Sequence, residues 1–418
     1  MKTYNNAELR AKFKQLRFEV HSLTVFSAIK QDPVFSKLIE YLNALYDTDL
    51  EESGYLDDQL SFKLDLYSDF ASALFTHHGD NLSKHIQSIV NDDENVYIKN
   101  ICKGKEITPV LEKAVNSELK ILQKVADLTP EELTAPLEYN GYLPEFDTSE
   151  IDLVATYKDR VANIGKYGYG IYSRYYMFSL DDDGKIIPVR NPDSQRLSEL
   201  IDYKREQQII IDNTKALLAG KPAANILLTG DAGTGKSSTI KAVVNEFKNE
   251  GLRILEVRKE QLRDIPAVLD ELNENPLKFI LFIDDLSFQS DDDNFAALKA
   301  ILEGSVSAKS NNIVIYATSN RRHMVKETFS SREGDDIHRN DSMQETVSLS
   351  ERFGIQILFR RPDKFTYLNI VHHLAKEAGL DIPESELDVG AESFALRRAN
   401  RSARCAKQYV DGLISSAK

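Results

Sequence analysis

The nine residues Gly230, Asp231, Ala232, Gly233, Thr234, Gly235, Lys236, Ser237 and Ser238 constrain this chain more than any other stretch. They follow a short apolar run, Ile226 to Leu228, and precede Ile240, Val243, Val244 and Phe247, which repeat at helical spacing. A glycine, four residues and then Gly-Lys-Ser is the spacing of a loop that wraps phosphate. Glycines at 230, 233 and 235 let the backbone turn its N–H groups toward one point. Those groups and the dipole of the following helix suit the β- and γ-phosphates of a nucleotide. Lys236 adds a point charge on the same oxygens, and the Ser237 hydroxyl suits Mg²⁺. The flanks read as a buried parallel strand and a helix with one buried face. A plain Gly-rich turn is the competing reading, and the agreement of pattern and flanks sets it aside.

A second signature lies downstream. Phe279 to Ile283 is apolar and ends in Asp284-Asp285. A carboxylate at the C-terminal end of a strand beside the phosphates suits the Mg²⁺ shell, which gives that place to Asp284. The next, Asp285, is placed to orient and deprotonate an attacking water. Many buried strands end in Asp, so the pair takes its meaning from the phosphate loop upstream. Asn312 to Asn320 is another apolar strand, closing on the polar triplet Thr318-Ser319-Asn320 and followed by Arg321-Arg322-His323. Residues 327–346 are polar and charged without apolar periodicity, the pattern of a long mobile loop. Arg352-Phe353-Gly354 then opens a short strand over Ile355 to Phe359. Beyond Pro362 the pattern is helical, with Tyr367, Ile370, Val371 and Leu374 on one face.

The pattern divides the chain into four parts. Residues 1–128 read as a mainly helical domain, with Val34, Phe35, Leu38, Ile39 and Leu42 making a face after Pro33. His77 and His78 point different ways on a helix and read as surface residues. With no catalytic constellation, this domain is expected to serve packing or a protein partner. Residues 129–192 read as a connector, punctuated by Pro130, Pro136, Gly141 and Pro144, and a β-hairpin. The hairpin is expected from the aromatic run Tyr167 to Phe178, the turn at Asp183-Gly184 and the strand Ile186 to Val189. With Arg174 the one basic residue in that run, a base-stacking platform is the weaker reading. Residues 193–361 read as the nucleotide-binding core and 362–418 as a helical lid.

Composition sets the outer bounds. With 42% hydrophobic and 28% charged residues, the 418-residue chain has the make-up of an ordinary globular protein with sizeable cores. A net charge of −14 weighs against a broad nucleic-acid surface, though a local basic patch is not excluded. Cys102 and Cys405 give neither a disulfide framework nor zinc spacing. No apolar leader follows Met1, and no run approaches the ~20 apolar residues of a membrane span. The expected setting is a reducing cytoplasm, away from the membrane.

Together these residues resemble the AAA+ ATPases: phosphate loop, Asp-Asp strand end, Asn-ended strand, Arg-Phe-Gly, then a helical lid. The similarity is closer to one AAA+ family of bacterial ATP-binding proteins, a domain of unknown function. Its marks match at Asp284 to Phe288, Leu298 to Gly304, Ala317 to His323, Ser348 to Gly354 and Arg401-Ser402-Ala403-Arg404. The resemblance covers roughly residues 187–412. It implies an α/β fold, a five-stranded parallel sheet between helices with a C-terminal helical lid, and ATP with Mg²⁺ as ligands. It implies that Asn320 touches the γ-phosphate or the lytic water. It places Arg352 where an arginine finger reaches a neighbouring subunit's ATP, hence a homo-oligomer. Arg404 aligns with the lid arginine that contacts phosphate, with Arg401 as second choice. Ile201 and Tyr203 fall where the base packs. Asp285 departs from the AAA+ pattern, since most members have Glu there, and one methylene less implies looser water positioning.

The function expected is an ATPase that hydrolyses ATP to remodel a macromolecular partner. A nucleotide-gated switch or adaptor with incidental turnover is the alternative that Asp285 and the large N-terminal domain keep open. A small-molecule kinase fits less well, because the lid arginines sit in a C-terminal helical domain. Nucleic acid is a disfavoured partner, since no helix-turn-helix signature accompanies the acidic balance.

Overall fold

The structure, a computed structural model, describes residues 6–45, 56–286, 293–303, 311–320 and 351–416. The chain divides into two compact units, Met1–Arg174 and Tyr175–Lys418. The loop expected over 327–346 lies outside the described residues, as do the family marks at Ser287, Phe288, Gly304, Arg321 to His323 and Ser348 to Ser350.

The first unit is helical: α1 (Asn6–His21), α2 (Pro33–Ala44), α3 (Leu56–His78), α4 (Leu82–Asp92), α5 (Val96–Cys102), α6 (Pro109–Ala126), α7 (Pro130–Thr134), α8 (Leu153–Ala162), α9 (Ile164–Tyr167) and α10 (Ile171–Arg174). Local sequence sets the starts. Asp32 accepts the N–H groups of Val34 and Phe35, with Pro33 opening α2. Thr108 and Pro109 begin α6 in the same way, and Asp152 caps α8. Phe13, Phe26, Phe35, Tyr41, Tyr67 and Phe70 fill the interior. One carboxylate is buried with them: Glu118 of α6 accepts from the backbone N–H of Thr24, Val25 and Phe26 and from the Thr24 hydroxyl. Those donors replace the water it gave up and pin the turn after α1.

Residues 129–174, read as a connector opening a hairpin, are part of this helical core. Leu133, Leu137, Phe146, Leu153, Tyr157 and Tyr169 are buried in it. Nor is the aromatic run a strand from Tyr167 onward. Gly168 (φ 71°) and Gly170 (φ 60°) turn the chain through left-handed conformations around the one-turn helices α9 and α10. Extended backbone begins only at Met177.

The second unit is built on strands β1 (Met177–Leu180), β2 (Ile186–Pro188), β3 (Ile226–Gly230), β4 (Leu252–Val257), β5 (Lys278–Ile283), β6 (Ile313–Ser319) and β7 (Ile355–Phe359). Their order across the sheet is β2-β1-β4-β5-β6-β3-β7. From β4 to β7 this is the five-stranded parallel sheet that the resemblance implied. The hairpin does not stand apart. β1 pairs in parallel with β4 and antiparallel with β2, so it widens the sheet at one edge. Phe279 to Ile283 of β5 are wholly buried, which is why that run is apolar at every position.

Helices α11 (Lys204–Leu218), α12 (Lys236–Phe247), α13 (Ile265–Asn273) and α14 (Asp293–Glu303) belong to the sheet. The lid has α15 (Lys364–Glu377), α16 (Glu384–Arg397) and α17 (Ala403–Ser416), with a small core of its own around Tyr367, Val371, Ala391 and Ala406. What matters for function is the strand order. β3 lies between β6 and β7, and β6 lies beside β5, so the C-terminal ends of β3, β5 and β6 meet at one edge of the sheet. In open α/β sheets that edge is where ligands bind.

Candidate nucleotide site

The glycine loop leaves the C-terminal end of β3 with no room for side chains. Gly230 has φ 145°, and a Cβ there would lie 2.1 Å from the Phe359 carbonyl oxygen on β7. Gly233 has φ 81°, and its Cβ would lie 3.0 Å from Ser402 Oγ and 3.1 Å from the Arg404 Cβ of the lid. The lid therefore closes on the loop at Gly233. The Arg404 backbone N–H also donates to the Gly233 carbonyl at 3.4 Å. Within the loop, Thr234 Oγ1 donates to the Asp231 carbonyl at 2.9 Å, and Gly235 caps α12 in a left-handed conformation.

Lys236 opens α12 and is only 5% exposed, so its ammonium must be matched by acceptors. Its Nζ donates to the carbonyls of Gly230 (2.8 Å) and Asp231 (2.9 Å) and to Asn320 Oδ1 (2.9 Å). Loss of water lowers its pKa, and the nearby carboxylates of Asp284, Asp285 and Asp231 oppose that shift. Asn320, just past β6, turns its amide to the other side and donates to Asp285 Oδ1 at 2.7 Å. The cation of the loop and the second carboxylate of β5 are thus joined through one amide.

Asp284 receives several donors on one oxygen. Ser237 Oγ donates to its Oδ1 at 2.7 Å, the Asp285 backbone N–H does so at 3.1 Å, and the Thr318 hydroxyl donates to the same atom. Asp285 is exposed and has φ 53°, a left-handed conformation that Asp tolerates better than most residues.

A cleft of about 560 Å³ opens between sheet and lid. Ala232, Gly233, Thr234, Gly235, Lys236, Ser237 and Ser238 line it, and so do Asp284, Asp285 and Asn320. Gly230 and Asp231 form the foot of the loop, bonded through their carbonyls to Lys236. Ile201 and Tyr203 also line the cleft. Tyr203, itself at φ 57°, lays its ring 4.8 Å from Phe359 and donates its hydroxyl to the Arg360 carbonyl. Arg404 lines the cleft, whereas Arg401 is engaged with Glu392 through two bonds of 3.0 and 2.8 Å. Between the two lid arginines, the geometry favours Arg404. Arg352 is not among the lining residues; it precedes β7, at the end of that strand opposite Phe359 and Gly230.

Sequence reasoning missed several contributors. Lys407, one turn beyond Arg404, lines the cleft, as do Ile370 and Leu374 of the lid. Spacing on α15 and α17 was the available signal, since all three share faces with residues already singled out. Thr318 was read only as part of a polar strand end.

Ser237 and Asp284 offer hard oxygen atoms held 2.7 Å apart. Among the described residues, no group of three or more His, Cys, Asp or Glu is arranged to hold a metal. The Ser237 and Asp284 oxygens fit Mg²⁺, which binds through one or two protein oxygens together with substrate phosphates and waters. The glycine loop fits phosphates by its make-up: Ala232 to Ser238 line the cleft, and Gly233 and Gly235 hold left-handed conformations of the kind that lets successive N–H groups converge on an anion.

Comparison with known proteins adds a family. The family described as "Protein of unknown function (DUF815)" matches residues 173–417. No curated protein matches the chain. Among the solved structures that match is the Thermotoga maritima RuvB Holliday junction branch migration motor, at 13% identity and a TM-score of 0.32. The match covers 52% of this chain and 72% of that one.

Proposed function

The chain belongs to the family described as protein of unknown function (DUF815), and from that premise we propose that it is an AAA+ ATPase that binds Mg-ATP and hydrolyses it to remodel a macromolecular partner. The observation that carries the reading is the continuous set of bonds from Lys236 through Asn320 to Asp285, beside Ser237 and Asp284. It gathers a cation, a hydroxyl, two carboxylates and a glycine loop at one sheet edge, the parts that phosphoryl transfer uses for positioning and charge stabilisation.

In this reading the N–H groups of residues 232–236 and the Lys236 ammonium bind the β- and γ-phosphates. Ser237 and Asp284 hold the ion, which when bound neutralises charge on phosphate oxygens. Asp285, at the exposed side of the cleft, orients and deprotonates water, and Asn320 holds that carboxylate and reaches the γ-phosphate. Arg404 contacts phosphate from the lid, while Ile201 and Tyr203 pack the base. Arg352 serves the site of a neighbouring copy, so the working form is a homo-oligomer. The helical first unit binds a protein partner in the cytoplasm. Nucleic acid is disfavoured by the charge of −14.

The switch reading rests on Asp285 and on the large helical first unit. Asp285 is shorter than Glu and is bonded to Asn320, which suits slow turnover. Asp285→Asn separates the two readings. Hydrolysis as the working activity requires turnover to fall about 10²–10⁴-fold while ATP stays bound. Phosphate release that is unchanged in Asp285→Asn would remove Asp285 from the chemistry.

A further inference from the structure

Two triplets face each other at the ends of adjacent strands. After β5 come Asp284, Asp285 and Leu286, and β6 ends on Thr318 and Ser319, with Asn320 next. The bonds between them run in step. The Thr318 hydroxyl donates to Asp284 Oδ1 and accepts the Asp285 N–H at 2.9 Å. Ser319 Oγ donates to the Leu286 carbonyl at 2.8 Å, and the Leu286 N–H donates to the Thr318 carbonyl at 2.7 Å. Asn320 donates to the Asp285 carboxylate at 2.7 Å.

Within this arrangement we propose that Thr318 is a positioning residue, whose one hydroxyl sets both carboxylates of the pair at once. The inference rests on the hydrolytic reading above. A hydroxyl has a single proton and accepts on its lone pairs. Thr318 gives its proton to Asp284 and takes the Asp285 N–H, so it cannot rotate without releasing both. On the Asp284 side, it adds to Ser237 and the Asp285 N–H in fixing the plane of the carboxylate that faces the metal position. On the Asp285 side, it fixes the backbone at φ 53°, which swings the short carboxylate out toward Asn320. Thr318 is 1% exposed and does not need to touch water, metal or phosphate to act in this way.

The test compares Thr318→Ser, Thr318→Val and Thr318→Ala with wild type, each checked for nucleotide affinity by titration and for steady-state turnover against ATP and against Mg²⁺. Valine keeps the shape and loses both bonds, serine keeps both bonds and loses a methyl, and alanine guards against a valine variant that does not fold. Misplacement by about 1 Å costs on the order of 10²-fold in rate, so kcat should fall by about that factor in Val and Ala. Their affinity for nucleotide should hold, and their half-saturating Mg²⁺ should rise. Thr318→Ser should stay within a few-fold of wild type throughout. Wild-type kcat in Val or Ala overturns the proposal, and so does an equal loss in Ser, because the hydroxyl would then not be the cause. If wild type itself binds ATP without turning it over, the hydrolytic reading fails first and the positioning role falls with it.

Discussion

Removing the Arg352 guanidinium should abolish hydrolysis without touching nucleotide affinity, and the length of one strand gives the reason. β7 runs from Ile355 to Phe359, and Phe359 pairs with Gly230 of the phosphate loop. At ~3.3 Å per residue the strand alone spans roughly 13 Å, and Arg352 lies before its start. Two unit charges that far apart interact by about 0.3 kcal/mol in water and about 1.3 kcal/mol at an effective dielectric of 20. An arginine finger supplies ~10³–10⁵ in rate, which is about 4–7 kcal/mol. A cation acting in its own subunit over that distance falls short several-fold, so the proposed finger effect of Arg352 requires a neighbouring copy. Phosphate release measured across a dilution series should therefore show specific activity rising with protein concentration. Arg352→Ala has an intact phosphate loop, and Lys236→Ala has an intact finger. Each should be inactive alone, and their mixture should recover part of the activity at mixed interfaces. A mixture that stays inactive although the two proteins co-assemble would refute the assignment, as would activity per subunit that persists undiminished at the dilution where the protein is monomeric.

Two further outcomes follow from single positions. Gly230→Ala puts a Cβ 2.1 Å from the Phe359 carbonyl and asks for φ 145° of a residue that resists it, so Mg-ATP binding should be lost and the melting temperature lowered; an alanine variant with wild-type affinity would contradict the tight turn. Asp93 lies buried after α4, where loss of water is the chief cause that pushes its carboxyl from the ordinary 3.8 up to about 6. A raised value means that the stabilising contribution of the protonated form is complete below about pH 4 and is lost as pH rises through about 6. Asp93→Asn should therefore raise stability at pH 8 by at most about 3 kcal/mol and bring nothing at pH 4. Equal denaturation midpoints for the two proteins at pH 8 would contradict the burial argument.

What was legible in the sequence was what chemistry fixes locally. The spacing from Gly230 to Ser237 was legible because a phosphate loop needs glycines and a lysine in that order, and the structure sets Ala232 to Ser237 along one cleft. The ends of β5 and β6 were legible for a similar reason: apolar runs that give way to Asp284-Asp285 and to Thr318-Ser319-Asn320 mark the sheet edge once the phosphate loop is placed. The aromatic run misled because Tyr and Ile favour strands only when the backbone can extend. Gly168 and Gly170 turn it instead, and Tyr169 and Tyr172 are buried in the helical unit. The punctuated stretch after Leu128 misled because prolines there open or follow short helices whose Leu133 and Leu137 are core residues. The part played by Thr318 depends on the register of β6 against β5, which no single segment encodes.

Every step proposed for this chain depends on the loop from Gly230 to Ser238, with Lys236 at its heart, binding Mg-ATP. Isothermal titration of Mg-ATP into wild type and Lys236→Ala tests it most directly. A charged hydrogen bond contributes about 1.5–3 kcal/mol, so the account predicts saturable binding to wild type and a loss of roughly 10- to 100-fold in affinity for Lys236→Ala. Equal affinity in a folded Lys236→Ala protein, or no heat of binding in wild type, would contradict it.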